Sequence, residues 1–178
     1  MFSAEQLASD CRAALRDSTP ERAVKEVVKR AIAQPAQVLS ALGSPSRAGL
    51  FPLYQSADLT ILNVIWAPGM SIYPHDHRMW AVIGVYGGTE DNVFYRRAPQ
   101  GLVRASAKRL ETGAAALLGR DCVHAVANPL GTFTSALQVY GGDFFGAARS
   151  EFDPRTLEER PFDVEKAKGL FAAANSGR

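Results

Sequence analysis

A run of short, β-rich segments between residues 50 and 145 limits the folds open to this chain more than any other feature. Segments of this length, rich in branched and aromatic residues and stopped by glycine or proline, are typical of β-strands. Strands so short and so closely spaced predict an antiparallel sandwich or barrel. The predicted strands cover residues 59–66, 72–77, 80–86, 92–97, 102–110, 114–118, 124–127 and 132–140.

Helices are predicted on both sides of this β-rich region. At the N-terminus, Ser3 and Gln6 form a capping-box pattern, and Thr19-Pro20-Glu21 marks a second helix start. Near the C-terminus, Asp163 precedes an apolar face that includes Phe171. We therefore expect a single domain with a helical segment (1–48) packed on a barrel (50–145), followed by a polar, turn-rich tail and a short helix (150–178).

The composition excludes several classes of protein. The net charge is +2 without a basic cluster, so nucleic acid is not an expected partner. No apolar run reaches the roughly 20 residues that span a bilayer, so no membrane association is expected. Cys11 and Cys122 lie far apart and form no disulfide framework, which together with the mixed-charge N-terminus favours a cytoplasmic location.

All three histidines of the chain belong to one predicted site. His75 and His77 lie two residues apart on a predicted strand, so their side chains point to the same face. His124 lies on a later strand. Imidazole is a good ligand for transition metals, and we expect these three side chains to bind one metal ion.

The spacing around the first histidine pair follows a known pattern. Gly69, His75, His77 and Gly88 match the motif G-x5-H-x-H-x3-E-x6-G, with Ala81 at the glutamate position.

A second pattern surrounds the third histidine. Gly113, His124 and Asn128 match G-x5-P-x-G-x2-H-x3-N, with Gly119 and Asp121 in place of its proline and glycine. The pair of motifs resembles the cupin superfamily. The resemblance implies a mainly β fold, a double-stranded β-helix (jelly-roll) barrel, with a metal bound by the motif histidines.

The acidic ligand of the first motif is missing. Ala81 and its neighbour Val82 offer no metal ligand, and Glu90 and Asp91 are expected to lie past the Gly87-Gly88 turn and to miss the site. A divalent ion held by three neutral imidazoles keeps its full positive charge. We therefore expect an anionic substrate, such as a thiolate or a carboxylate.

An all-histidine ligand set resembles the thiol dioxygenases, the cysteine dioxygenase group of cupins. Residues 62–69 leading into His-Asp-His, and residues 124–128 followed by a strand ending in Tyr140, are similar to that group. The resemblance implies an iron(II) enzyme that binds thiolate and O2 and forms a sulfinate. It also implies that Tyr140 is a catalytic residue that donates a hydrogen bond to bound oxygen or substrate.

Other parts of that group's pattern differ here. Its Ser-x-His-x-Tyr triad reads Ala136, Gln138 and Tyr140, and its carboxylate-binding arginine falls near residues 54–56, where there is none. Arg96 and Arg97 are alternative carboxylate ligands, although solvent-exposed charge is the commoner role for such a pair. The substrate is therefore open between cysteine, another thiol and a different anion.

Three functions are consistent with these features. The first is an iron(II) dioxygenase whose partners are a small molecule and O2. The second is another metal-dependent cupin enzyme, an isomerase, hydrolase or lyase using zinc, nickel or manganese. The third is a cupin module that only binds a small molecule. A homodimer formed through edge strands is a further expectation from the resemblance.

Overall fold

The computed structural model describes residues 1–176 and consists of eleven strands and four helices. Residues 177 and 178, the end of the predicted 150–178 segment, lie outside the described residues. The helices are α1 (Ala4–Ala14), α2 (Pro20–Ile32), α3 (Pro35–Leu42) and α4 (Val164–Ser176). The strands are β1 (Gly49–Gln55), β2 (Thr60–Trp66), β3 (Ser71–Asp76), β4 (Ala81–Gly87), β5 (Thr89–Ala98), β6 (Gly101–Glu111), β7 (Ala115–Leu118), β8 (Val123–Ala127), β9 (Thr134–Tyr140), β10 (Ser150–Phe152) and β11 (Glu159–Pro161).

The strands form two antiparallel sheets. The first has the order β1-β2-β9-β4-β7 and the second the order β11-β10-β3-β8-β5-β6. From β2 to β5, and again from β6 to β9, successive strands alternate between the two sheets, which is the winding of a double-stranded β-helix. The predicted fold class, a mainly β jelly-roll barrel with N-terminal helices and a short C-terminal helix, is confirmed.

The first sheet is covered on both faces, which explains its nearly continuous apolar strands. On β2, Leu62, Val64 and Trp66 point into the barrel, whereas Ile61 points to the helices. The barrel core contains residues from both sheets, including Ile72 and Val126 of the second. Because side chains alternate along a strand, they lie in turn in the barrel core and in the core between the sheet and the helices.

Helix α2 packs tightly on the outer face of β4. Val24, Val28 and Ile32 are fully buried together with Val82 of β4. Gly84 allows this close approach, because a Cβ atom at that position would lie 2.4 Å from Cγ1 of Val28. The sheet and the helix are thus in contact through a position that has no side chain.

Turns and caps follow the sequence signals closely. Ser3 accepts a hydrogen bond from the Gln6 amide (3.2 Å), and Asp163 accepts one from the Lys166 amide (3.0 Å). Gly88, between β4 and β5, has φ +77° and lies against Thr134, so a side chain there would be both strained and crowded. Asn128 is structural: its amide donates to backbone carbonyls of Ala67 and Thr132 over 2.9 and 2.8 Å.

The tail differs from the sequence-based expectation. Residues 151–161 were expected to be a polar, turn-rich connection, but β10 and β11 extend the second sheet there and β10 pairs with β3. Within residues 1–176, no helix has both the length and the apolar character needed to cross a bilayer.

Candidate metal centre

The fold brings the three histidines together at the β3–β8 strand pair. His75 lies on β3 and is paired in register with His124 on β8, and His77 follows directly after β3. The three ring centroids are 4.8 to 5.1 Å apart. One nitrogen from each ring lies within 4.8 Å of the others. His75, His77 and His124 are 6%, 4% and 2% exposed, so this cluster is almost completely shielded from solvent.

Hydrogen bonds orient two of the rings. Nδ1 of His75 lies 3.0 Å from the carbonyl oxygen of Tyr73, which can only accept, so Nδ1 carries the proton. Nδ1 of His124 lies 2.8 Å from Oδ1 of Asn92 and donates to it. Both rings therefore turn an unprotonated Nε2 away from these partners. Nε2 of His124 is buried without a hydrogen-bond partner.

The cluster is electrically neutral in the folded protein. Burial lowers the pKa of His75 to about 4 and lowers the pKa of His77 and of His124 well below the ordinary 6.5. Repulsion between the rings adds to the lowering of the pKa for His77 and His124. Neutral imidazole is the form that binds a metal ion.

Asp76, between the two histidines on the chain, points to the opposite face and anchors β3. Its carboxylate is fully buried, accepts a hydrogen bond from the Ser150 amide (2.8 Å) and pairs with Arg78 (2.8 Å) and Arg97 (2.7 Å). Arg97 also contacts Glu159, so it binds the protein's own carboxylates rather than a ligand, and Arg96 is exposed. Neither arginine lines the cavity beside the histidines, and the commoner role expected for the pair, solvent-exposed charge, fits Arg96.

Glu90 lies directly behind the histidine cluster. It is fully buried on β5 and accepts hydrogen bonds from Nε1 of Trp66 (2.9 Å), Nδ2 of Asn92 (3.0 Å) and Nε2 of Gln138 (3.3 Å). As expected, Glu90 is neither one of the clustered ligands nor part of the cavity lining, but it is linked to the cluster by hydrogen bonds. Asn92 joins it to His124.

A cavity of about 60 Å³ opens beside the three histidines. Its walls are mainly apolar and aromatic, and α4 covers one side, where Phe171 stacks on Trp66 with 5.4 Å between ring centroids. The described lining contains two cations, Arg149 and Lys168, and no acidic side chain. The lining residues are Leu50, Trp66, Ile72, His75, His77, His124, Val126, Gln138, Tyr140, Phe144, Phe145, Arg149, Phe162, Val164, Ala167, Lys168 and Phe171.

Arg149, in the segment between β9 and β10, is the principal charged group facing this cavity. Its guanidinium lies 4.2 Å from the ring centroid of Phe144 and 3.8 Å from that of Phe162. Within residues 1–176 no carboxylate forms an ion pair with it. Burial lowers the pKa of Arg149, which nevertheless remains a cation at neutral pH. A half-buried, unpaired guanidinium is suited to binding an anion.

Tyr140 lines the cavity, and its ring lies 5.0 Å from that of His77. Its hydroxyl donates to Oε1 of Gln138. Gln138 also faces the cavity, whereas Ala136 is part of the barrel core. Burial raises the pKa of Tyr140, so the phenol stays protonated.

These side chains fit a transition-metal ion. Three buried neutral imidazoles offer nitrogen ligands, and the unpartnered Nε2 of His124 would otherwise carry the cost of an unsatisfied buried acceptor, about 1–3 kcal/mol. Imidazole ligands suit iron, zinc, copper and nickel alike, so the residues do not select one metal.

No protein-family model matches the chain. Solved structures of similar shape include a cupin superfamily protein from Desulfitobacterium hafniense, with 16% identity over 57% of this chain and 85% of that one (TM-score 0.46). A second is an RmlC-like cupin family protein with a double-stranded β-helix fold from Methanocaldococcus jannaschii, with 8% identity over 57% and 86% (TM-score 0.48). A third is a conserved protein with a double-stranded β-helix domain from Klebsiella pneumoniae, with 17% identity over 61% and 82% (TM-score 0.48).

The strand order itself defines the double-stranded β-helix. Fold and site together define a double-stranded β-helix protein with a three-histidine group that could hold a metal ion.

Sequence reasoning missed two residues of this site. The position of Glu90 past the Gly87-Gly88 turn predicts that it misses the site, although Glu90, Asn92 and Phe94 alternate on β5 in a pattern that could have extended the predicted strand back to Glu90. Arg149 carries no local signal, because its place in the cavity depends on how the β9–β10 connection folds back over the barrel.

Proposed function

We propose that this chain is a metal-dependent enzyme, an iron(II) dioxygenase that oxidises a small anionic molecule, with thiols as the first candidates. The observation that carries the proposal is the convergence of His75, His77 and His124, neutral and buried, in a cavity lined by Arg149 without an acidic side chain. The retained Tyr140 beside His77 supports the comparison with thiol dioxygenases.

The charges around the cavity support an anionic substrate. A divalent ion bound by three neutral ligands keeps its positive charge, and the unpaired guanidinium of Arg149 adds another. In a cavity with apolar walls this field is weakly screened, so an anion is favoured and a cation is excluded. A molecule with both a thiolate and a carboxylate would satisfy the two positive centres at once.

When bound, iron(II) would supply open coordination positions at which a thiolate and O2 meet. The overall reaction, thiolate plus O2 giving sulfinate, places both oxygen atoms on sulfur and moves four electrons from sulfur to oxygen. It therefore needs no further reductant. The chain's own residues must bind the substrate, orient it and exclude water.

The protein side chains divide these tasks. Arg149 is suited to hold the carboxylate end, because a planar guanidinium forms two parallel hydrogen bonds with a carboxylate. The rings of Phe144 and Phe162 both pack against that guanidinium and help to hold it in place. Tyr140, whose proton is engaged with Gln138, presents oxygen lone pairs to the cavity and can donate to a substrate only after that hydrogen bond is released.

The same ligand set suits zinc and nickel, so an isomerase, hydrolase or lyase is the alternative enzyme class. The metal content of protein expressed without added metal distinguishes the iron(II) dioxygenase from this alternative. Full zinc occupancy, with no activity gained on loading with iron, would favour the alternative.

Oxygen consumption by iron-loaded protein tests the proposal. A panel should include cysteine, mercaptopropionate and cysteamine, which lacks a carboxylate. Arg149→Met should lower kcat/KM for carboxylate thiols about tenfold to a hundredfold, the equivalent of losing about 1.5–3 kcal/mol of charged hydrogen bonding, and should spare cysteamine. Arg160→Met, at an exposed arginine, is the matched control. Oxygen uptake at background level with every thiol would refute the thiol assignment.

A further inference from the structure

Glu90 is a fully buried carboxylate surrounded by hydrogen-bond donors and without a cation. Trp66, Asn92 and Gln138 each donate an N–H to it over 2.9 to 3.3 Å. Within residues 1–176 no lysine or arginine pairs with it. A buried carboxylate without a cation is costly, and burial raises the pKa of Glu90 accordingly. A neutral glutamine or an apolar residue would fill the same volume at lower cost.

Two hydrogen-bonded paths lead from this carboxylate to the cavity. The first runs from Glu90 through Asn92 to Nδ1 of His124, with donor–acceptor distances of 3.0 and 2.8 Å. The second runs from Glu90 through Gln138 to the hydroxyl of Tyr140. Both paths end on residues that line the candidate metal centre.

All three partners of Glu90 donate an N–H to its two oxygens, so a carboxyl proton would have no acceptor and the group is ionised. An ionised carboxylate fixes the direction of every hydrogen bond in the first path. It accepts only, so Asn92 must turn its NH2 group to Glu90 and its Oδ1 to His124. Oδ1 also accepts only, so His124 must carry its proton on Nδ1. Nε2 then has a free lone pair, as a metal ligand requires, and this is the nitrogen that lacks a partner.

We propose that Glu90 is a positioning residue for the metal centre. Through Asn92 it holds His124 in the tautomer whose Nε2 binds metal. The inference rests on the proposed metal site. Partners that fix the tautomer of a metal-bound histidine commonly change metal affinity by about 10–100-fold.

The Glu90→Gln variant tests this, because it replaces one hydrogen-bond acceptor of the side chain with a donor and keeps the side-chain shape. If the new amide oxygen accepts from Trp66 and Gln138, its NH2 group faces the NH2 group of Asn92. Asn92 must then turn, and it presents a donor to Nδ1 of His124. The favoured tautomer of His124 would carry its proton on Nε2, where it blocks the metal.

Titration with Co²⁺ alone, followed by its visible absorption, gives the readout. Glu90→Gln should bind Co²⁺ about 10–100-fold more weakly than the wild type, whereas its metal-free form should be at least as stable to urea. Glu151→Gln is the matched control, because it removes a buried carboxylate beside His75 that has no hydrogen bond to an imidazole. Its Co²⁺ affinity should stay within about threefold of the wild type.

A second variant restores a hydrogen-bond acceptor for Nδ1 of His124. In Glu90→Gln/Asn92→Asp, the new carboxylate at position 92 accepts directly from Nδ1 of His124 and from the glutamine at position 90. Co²⁺ affinity should return to within a few-fold of the wild type, a recovery that a purely structural role of Glu90 does not produce.

The outcomes separate this inference from the metal site itself. If the wild type binds no Co²⁺, or His124→Ala binds it equally well, the metal site is wrong and the inference falls with it. If the wild type binds through His124 but Glu90→Gln binds as tightly, only the role of Glu90 is overturned. It is also overturned if metal-free Glu90→Gln is unfolded, or if the double variant stays as weak as the single one.

Discussion

The three buried histidines should make the metal-free protein sensitive to mild acid. In the unfolded chain each imidazole has a pKa near 6.5, whereas burial lowers the pKa of His75 to about 4 and the pKa of His77 and His124 well below 6.5. The unfolded state therefore binds more protons than the folded state below pH 6.5. By linkage, the free energy of unfolding must fall as pH decreases through this range.

The size of the effect follows from these pKa values. At about pH 5.5, protonation stabilises an unfolded histidine of pKa 6.5 by about 1.4 kcal/mol, while a folded histidine of pKa 4 remains neutral. At about pH 7.5 the contribution is close to zero. His77 and His124, whose pKa values burial also lowers, contribute in the same direction. Glu90 acts in the opposite direction, because burial raises the pKa of its carboxyl group.

A variant comparison isolates one histidine from every other titrating group. The free energy of unfolding of His75→Leu should fall by about 1.4 kcal/mol less than that of the wild type between about pH 7.5 and pH 5.5. The contribution of Glu90 cancels in this difference, and burial, the larger cause, keeps the pKa of His77 and His124 low without His75. Tyr73→Phe, on the same strand and without a titration in this range, should behave like the wild type. Urea unfolding at both pH values, in the presence of a chelator, gives the four free energies for each pair.

Equal pH dependence in His75→Leu and the wild type would refute the reasoning. It would mean that His75 titrates normally in the folded state, and so is neither desolvated nor held in the cluster that the structure describes.

Two further changes test how the fold supports the site. Gly84→Ala should destabilise the protein by about 1–3 kcal/mol in thermal or urea unfolding, because its Cβ would lie 2.4 Å from Val28 on α2, and unchanged stability would show that α2 does not pack there. Phe171→Ala should lower the free energy of unfolding by about 3–5 kcal/mol and leave the cavity more open on the α4 side. Unfolding measures the first effect, and faster quenching of Trp66 fluorescence by acrylamide measures the second. An unaltered quenching rate would contradict the covering role of α4.

Local patterns in the sequence were sufficient for most of the barrel. Branched and aromatic runs ended by Gly69 or Gly88 indicated the strands, because those turns need backbone conformations that glycine adopts without strain. The two-residue spacing of His75 and His77 predicted a shared face, and the barrel supplies the pairing with His124. These features depend on neighbours in the chain or on a motif of fixed spacing.

The remaining features depend on contacts between distant segments. Strand β1 contains Pro52 and lies at a sheet edge, so its sequence resembles a loop. Strand β10 is three residues long and is ordered by its place beside β3 rather than by its composition. Arg149 enters the cavity because β10 is placed there, which no local pattern indicates. Sequence reasoning therefore found the histidines but not the charged groups that surround them.

A crystal structure with anomalous diffraction data at the iron and zinc absorption edges tests the central claim most directly. The account predicts one metal peak, about 2.0–2.2 Å from one nitrogen of each of His75, His77 and His124, with no carboxylate of the chain bound to it. Nε2 should be the ligand atom of His124, with Nδ1 on Asn92. A metal held by other residues, or three imidazole rings that share no ion after soaking with iron, zinc or cobalt, would contradict it.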